Sequence, residues 1–328
     1  MARSVAARTG IILVAGLGAL VLVVAGVLAY LTGAGPLRDP AGCTAVVRGH
    51  EVTLTTEQAE NAALIVALSV RRGMPARAAS IALATVYQES KIYNIDHGDR
   101  DSLGLFQQRP SQGWGTREQL LDPVYATNAF YDALVEIDGY QSMRITEAAQ
   151  AVQRSAFPEA YADHEQDART LASALSGETA GGRFSCVTRP DVQEESDELD
   201  AAGLTPRAAV VREEIEAAFG ELSLGGFAPG GVTEGHMEGS SHYEGRAVDI
   251  FVRPVTPANQ RKGWAVAQYL VAQADRLAIR TVIFDDRIWT SGARSEQGWR
   301  DYDPPSSSGD PAILEHRDHV HVDVVAGG

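Results

Sequence analysis

The chain has 328 residues, 45% hydrophobic and 22% charged, a balance that supports buried cores and excludes wholesale disorder. A formal net charge of −15 without any basic stripe excludes a nucleic-acid partner, because such binders use clustered Lys and Arg to release phosphate counterions. The length suits two ordinary domains.

At the N-terminus, residues 11–31 form an uncharged, almost wholly apolar run, close to the roughly 20 residues that cross a bilayer. One transmembrane helix is expected there. Arg3 and Arg8 mark residues 1–10 as a cytoplasmic N-terminus, so the bulk of the chain is expected to be extracytoplasmic, on a single-pass cell-membrane protein. A cleaved signal peptide is the alternative, although its apolar core ordinarily runs only about 7–15 residues. A lipoprotein signal ending at Cys43 fits less well, since Pro40 stands three positions before that cysteine. Residues 32–43, rich in Gly and Pro, read as a stalk.

Cys43 and Cys186 bracket the next segment. Outside the cytoplasm an even cysteine count predicts a disulfide, with two free thiols as the alternative. Between them helical patterns cover 56–70, 75–89, 117–136, 146–154 and 159–175, with Thr56 opening the first, so 44–186 is predicted to be an all-α domain. The stretch 187–205 carries Asp191, Glu194, Glu195, Asp197, Glu198 and Asp200 and reads as an acidic, solvated linker. Beyond it, helices at 206–219 and 258–277 mix with strands at 246–252, 280–285 and 319–325, which predicts an α+β domain over 206–328.

Two groups of residues carry chemistry. The first is Glu89-Ser90 at the end of an apolar helix, followed by Ser102-Leu103-Gly104-Leu105-Phe106-Gln107-Gln108 and later by Ala149-Gln150-Ala151-Val152-Gln153-Arg154-Ser155. Residues 55–175 resemble the lysozyme-like superfamily, especially its lytic transglycosylases. The resemblance implies that Glu89 is the catalytic acid/base and that Ser90, Gly104, Phe106 and Gln107 line a glycan groove. The family's Tyr-Asn-Ala-Gly segment is absent here. Glycoside cleavage needs a proton for the leaving oxygen, and a glutamate among apolar neighbours keeps one. A hydrolase also needs a second carboxylate, about 5–5.5 Å or about 6.5–9.5 Å away, for which Asp99 and Asp101 are candidates. A lytic transglycosylase needs none. Tyr87, Tyr93 and Trp114 are candidates for stacking on sugars or for the core.

The second group is histidine-rich: His236, His242, His316, His319 and His321 are five of the eight histidines. Its centre is Ser240-Ser241-His242-Tyr243-Glu244-Gly245-Arg246-Ala247-Val248-Asp249, with His319-Val320-His321 following. Residues 206–326 resemble the zinc D-Ala-D-Ala carboxypeptidase, murein endopeptidase and hedgehog-type family. The resemblance implies Zn²⁺ held by His242, Asp249 and His321, with His319 beside the metal-bound water or the oxyanion. Such a set leaves zinc one open position, as catalytic sites do. Alternation along a strand puts His319 and His321 on one face. Asp318 is the alternative to His319 as general base, and Arg246 and Arg317 are candidate clamps for a peptide carboxylate. Together the resemblances imply an enzyme whose partner is peptidoglycan. The alternatives are a wall-binding scaffold or a zinc-binding surface protein without turnover.

Overall fold

The structure, a computed structural model, describes residues 41–155, 157, 159–179, 183–190, 192–304 and 308–327. It opens with strands, which an all-α domain over 44–186 would lack. β1 (Gly42–Val47) and β2 (His50–Leu54) form an antiparallel hairpin, and β3 (Phe184–Val187) pairs with the other edge of β1. Arg48 and Gly49 both have positive φ, the conformation that a two-residue hairpin turn demands. The hairpin faces inward through Ala45, Val52 and Leu54, all buried. The prediction of an all-α first half is therefore corrected: it is mixed, with a three-stranded sheet closing the helices.

Those helices are α1 (Thr56–Arg71), α2 (Ala76–Ser90), α3 (Arg117–Leu120), α4 (Pro123–Val135), α5 (Ile145–Gln153) and α6 (Glu165–Leu175). The cap of α1 is Thr55, one residue before the expected position, and with Gln58 it makes a reciprocal capping box. Asp122 and Pro123 split the predicted 117–136 helix, because Asp122 caps a new start that proline suits. α2 is buried over most of its length, packing on α1, α4, α5 and α6 through small side chains such as Ala78, Ala79 and Ala82. The catalytic candidate Glu89 sits in its last turn.

The second half contains α7 (Pro206–Phe219), β4 (Ser223–Gly225), β5 (Ala247–Phe251), α8 (Pro257–Ala272), β6 (Ile279–Phe284), β7 (Arg287–Thr290), β8 (Arg300–Asp301), α9 (Pro311–Leu314) and β9 (His319–Val324). Its strands form one antiparallel sheet in the order β4-β5-β9-β6-β7-β8. The sequence His-Val-His-Val-Asp-Val of β9 alternates strictly. Val320, Val322 and Val324 join the apolar core, and His319, His321 and Asp323 share the opposite face.

Apolar contact is continuous between the halves. α1 packs on α7 and α8, and the buried side chains of both segments form one cluster. β3 is the junction: the indole of Trp289 donates to the Cys186 carbonyl at 3.2 Å, and that of Trp299 donates to Phe184 O at 2.9 Å. The acidic stretch is pinned and not free. Glu195 N–H donates to Gly327 O at 3.0 Å, Gly327 N–H donates to Asp197 at 2.9 Å, and Arg207 pairs with Glu195 at 3.1 Å.

The membrane-spanning segment expected at 11–31 lies outside the described residues, and among the described residues no helix is long and apolar enough to cross a membrane. The expectation of a transmembrane anchor, and the cell-membrane localisation resting on it, are withdrawn.

Cys43 and Cys186 are register partners on β1 and β3 and form a disulfide. The bond closes a loop with a sequence separation of 143, for which the chain-entropy account gives a stabilisation of about 5 kcal/mol. A Cys43→Ala/Cys186→Ala double variant is expected to lose stability on that order in urea denaturation. A loss below about 1 kcal/mol would mean that the sheet is held by its packing alone.

Candidate metal centre and glutamate site

The antiparallel register sets Asp249 of β5 directly opposite His321 of β9, and Phe251 opposite His319. A short 3-10 turn, Ser241–Glu244, brings in His242. Ser240 caps the turn, accepting from His242 N–H at 3.4 Å, and Gly245 ends it with φ +66. A side chain at Gly245 would collide with Leu199 at 2.4 Å and Gly203 O at 2.7 Å, so the close approach of residues 199–203 to this turn requires glycine.

His242, Asp249 and His321 are buried and meet in a triangle. His242 Nε2 lies 3.1 Å from His321 Nδ1 and 3.2 Å from Asp249 Oδ1, and His321 Nδ1 lies 3.1 Å from Asp249 Oδ1. Ligands about 2.0–2.1 Å from one tetrahedral ion stand about 3.3 Å apart, so this spacing fits a single metal. The other nitrogens are engaged behind it. His242 Nδ1 donates to the Gly226 carbonyl at 2.7 Å, which leaves the lone pair on Nε2. His321 Nε2 faces Asp323 Oδ2 at 3.5 Å, and Arg280 holds that carboxylate at 2.9 Å. Outer partners of this kind fix ring orientation and ligand basicity. His236 is also within reach: its donor atom and those of His242 and Asp249 all lie within 4.8 Å of one another. The cluster is therefore a possible His/Asp metal-binding site.

His319 stands beside the triangle, with Nε2 3.9 Å from Asp249 Oδ1. Its Nδ1 donates to Asp318 Oδ1 at 2.7 Å, and Arg253 holds the other carboxylate oxygen at 2.6 Å. Nε2 is thus left free to accept a proton, and Asp318 serves as the carboxylate behind the ring. Arg246 is not placed as a clamp, since its guanidinium is buried on Glu244 and on the Val324 carbonyl at 2.9 Å. Arg317 pairs with Asp286 at 2.7 Å and with Glu315 at 2.8 Å.

Electrostatics follow from the packing. Burial by itself disfavours charge on His321, but hydrogen bonds to Asp249 and Asp323 outweigh it and hold the imidazole up at about 9. Burial opposes ionisation of Asp249 too, and His242 and His321 pull it well below the ordinary carboxylate range. Burial, then the neighbouring His319 and His321, press His316 down to about 3, so that ring is neutral. A histidine raised above its unfolded value near 6.5 stabilises the fold fully below that value and progressively less as pH rises through about 9. The melting temperature of the metal-free protein is expected to fall between pH 7 and 10, and metal uptake at pH 7 to release protons. Differential scanning fluorimetry across that range checks the first, and calorimetry in buffers of different ionisation enthalpy the second.

Glu89 lies apart from this cluster, half-buried in the last turn of α2. Its carboxylate accepts from Tyr161 OH at 2.7 Å and from Gln153 Nε2 at 3.3 Å, and the same amide donates to Phe106 O at 2.7 Å. Ser90 is buried and ties α2 to the following turn, donating to Leu105 O at 2.8 Å. Gly104 has φ +74, and a Cβ there would sit 2.2 Å from Leu120 O. The Phe106 ring is buried, stacked on Phe130 at 4.6 Å, so the side chain belongs to the core and only its carbonyl meets Gln153. Gln107 donates to Gly104 O at 3.1 Å. Asp101 is spent bracing a loop through Arg109 at 2.6 Å and Ser111 N–H at 2.8 Å, and Asp99 is exposed. Tyr87 stacks on His164 at 4.9 Å.

Sequence reasoning missed Tyr161, Asp323 and the role of His236. Asp323 continues the alternation of β9 and was legible in principle. Tyr161 comes from a 3-10 turn, Ala160–His164, with no local pattern to mark it.

The fold and the cluster define a mixed α/β protein with a possible metal-binding site on its six-stranded sheet. A family model described as "VldE, C-terminal domain" matches residues 200–311, which takes in His236, His242 and Asp249 and stops short of β9. No curated protein matches the chain.

Proposed function

We propose that the chain is a zinc-dependent peptidase acting on the peptide stems of peptidoglycan, with a second, glycan-cleaving site at Glu89. The observation carrying the first part is the 3.1–3.2 Å triangle of His242 Nε2, Asp249 Oδ1 and His321 Nδ1, in which each histidine has its other nitrogen engaged from behind. These three residues would hold the ion, and zinc, when bound, supplies Lewis-acid polarisation of the scissile carbonyl. His319 takes and returns the proton at Nε2, and Asp318 keeps its ring oriented and offsets the charge it gains. In the second site Glu89 protonates the leaving oxygen, with Tyr161 and Gln153 setting the direction of its carboxyl group. Asp101 is committed to Arg109 and to Ser111 N–H, and Asp99 is exposed, which favours a one-glutamate, transglycosylase-type reaction over a two-carboxylate hydrolysis.

The test is digestion of purified peptidoglycan by the full chain, with and without zinc, followed by separation of the products. Zinc-dependent loss of peptide cross-links or terminal residues supports the peptidase. Anhydro-sugar ends support transglycosylation, and reducing ends support hydrolysis. Intact material in every arm, from protein that retains zinc, would reduce the chain to a binding module.

A further inference from the structure

The segment joining β4 to the His242 turn is rich in glycine, and its residues 233–239 are exposed with one exception. His236 alone turns inward. Its ring lies face to face with that of His242, with centroids 3.9 Å apart and planes 22° apart, and edge-on to Tyr243 at 6.0 Å. The backbone at this point is clipped on both sides by one hydroxyl: Tyr243 OH accepts from His236 N–H at 3.0 Å and donates to His236 O. A surface loop has no packing reason to hold a single imidazole in this way while Glu234, Met237 and Glu238 stay in solvent.

The distances separate two kinds of donor. His242, Asp249 and His321 already stand at ligand spacing, whereas the His236 donor is placed only within 4.8 Å of those of His242 and Asp249. It is close enough to bind the same ion after a small swing of an exposed loop, and it is not built into the sheet as Asp249 and His321 are. We infer that His236 is a displaceable fourth ligand, which closes the metal's remaining position in the resting protein and leaves when substrate enters. The inference rests on the metal reading above and adds a self-capping loop to it. Three nitrogens and one carboxylate complete a tetrahedral set of the closed kind. A peptide carbonyl then competes with a neutral imidazole on a loop, and the three donors of the rigid triangle keep the ion in place throughout.

The experiment uses the full chain loaded with Co²⁺ alone, comparing wild type, His236→Ala and Tyr243→Phe. In His236→Ala, affinity measured by chelator competition is expected to fall by about tenfold or more, a scale taken from outer-shell substitutions that touch a metal less directly. The visible Co²⁺ bands are expected to weaken as solvent replaces the imidazole and coordination expands. Tyr243→Phe keeps the ring and frees the loop, so it should give a smaller loss of affinity in the same direction. Identical affinity and spectrum in wild type and His236→Ala would overturn the inference and leave the triangle standing. If wild type takes up no Co²⁺, the metal reading fails and this inference with it.

Discussion

His321→Ala is expected to lose metal and peptide cleavage together, whereas His319→Ala keeps near-stoichiometric metal and loses cleavage alone. The two residues are neighbours on one strand face, yet they stand in different relations to the triangle. His321 Nδ1 is 3.1 Å from both His242 Nε2 and Asp249 Oδ1, so its removal deletes one corner of the ligand set. His319 Nε2 stays 3.9 Å from Asp249 Oδ1, and its other nitrogen is committed to Asp318. Its loss should cost on the order of 10²–10⁴ in rate, the usual range for a positioned acid or base. Removing His321 also leaves Asp249 and Asp323 buried without their shared partner, and that change alone can unfold the sheet. His321→Asn, which keeps a polar group there, is the control, with elemental analysis and melting temperature read on all three proteins. Chelation of wild type should lower its melting temperature as well, because metal binds only the folded site. If His319→Ala loses the metal and His321→Ala keeps it, the roles are reversed.

Glu89→Gln is expected to abolish glycan cleavage while leaving metal content, peptide cleavage and melting temperature unchanged. The amide keeps the shape of the side chain, and its oxygen still accepts from Tyr161, now at 2.7 Å from the carboxylate. What it lacks is a transferable proton, again about 10²–10⁴ in rate. Tyr161→Phe removes only the hydrogen bond that aims the group and should show a smaller loss. Product analysis on purified glycan strands decides the matter, and full activity in Glu89→Gln would remove that residue from the chemistry.

The contrast between what was legible and what was not has a physical pattern. Periodic features were readable. The alternation of β9 placed His319 and His321 on one face, and Pro206–Phe219 was recognisable as a helix from its ends. Short elements were not: β4, β7 and β8 have three, four and two residues, too few for any period to emerge. The β1–β2 hairpin carried the alternation Thr44-Ala45-Val46-Val47 and Glu51-Val52-Thr53-Leu54, but its turn, Arg48-Gly49, lacks the usual Asn or Asp and passed unnoticed. At the site, residues joined by local motif or register were named in advance. Those that arrive through space, such as the Gly226 carbonyl behind His242 and Tyr161 on Glu89, have no one-dimensional signature. Arg246 shows the converse error, since a charge that looked available for substrate is consumed by Glu244 and a strand carbonyl.

The strand β3 gives the molecule a property that a string of modules would lack. It is fastened to β1 by the disulfide and grasped from the other side by the indoles of Trp289 and Trp299. Glu89 and the histidine cluster consequently belong to one frame, not to two heads on a tether. The distance between the two sites is therefore set by the packing of the fold and not by the length of a linker.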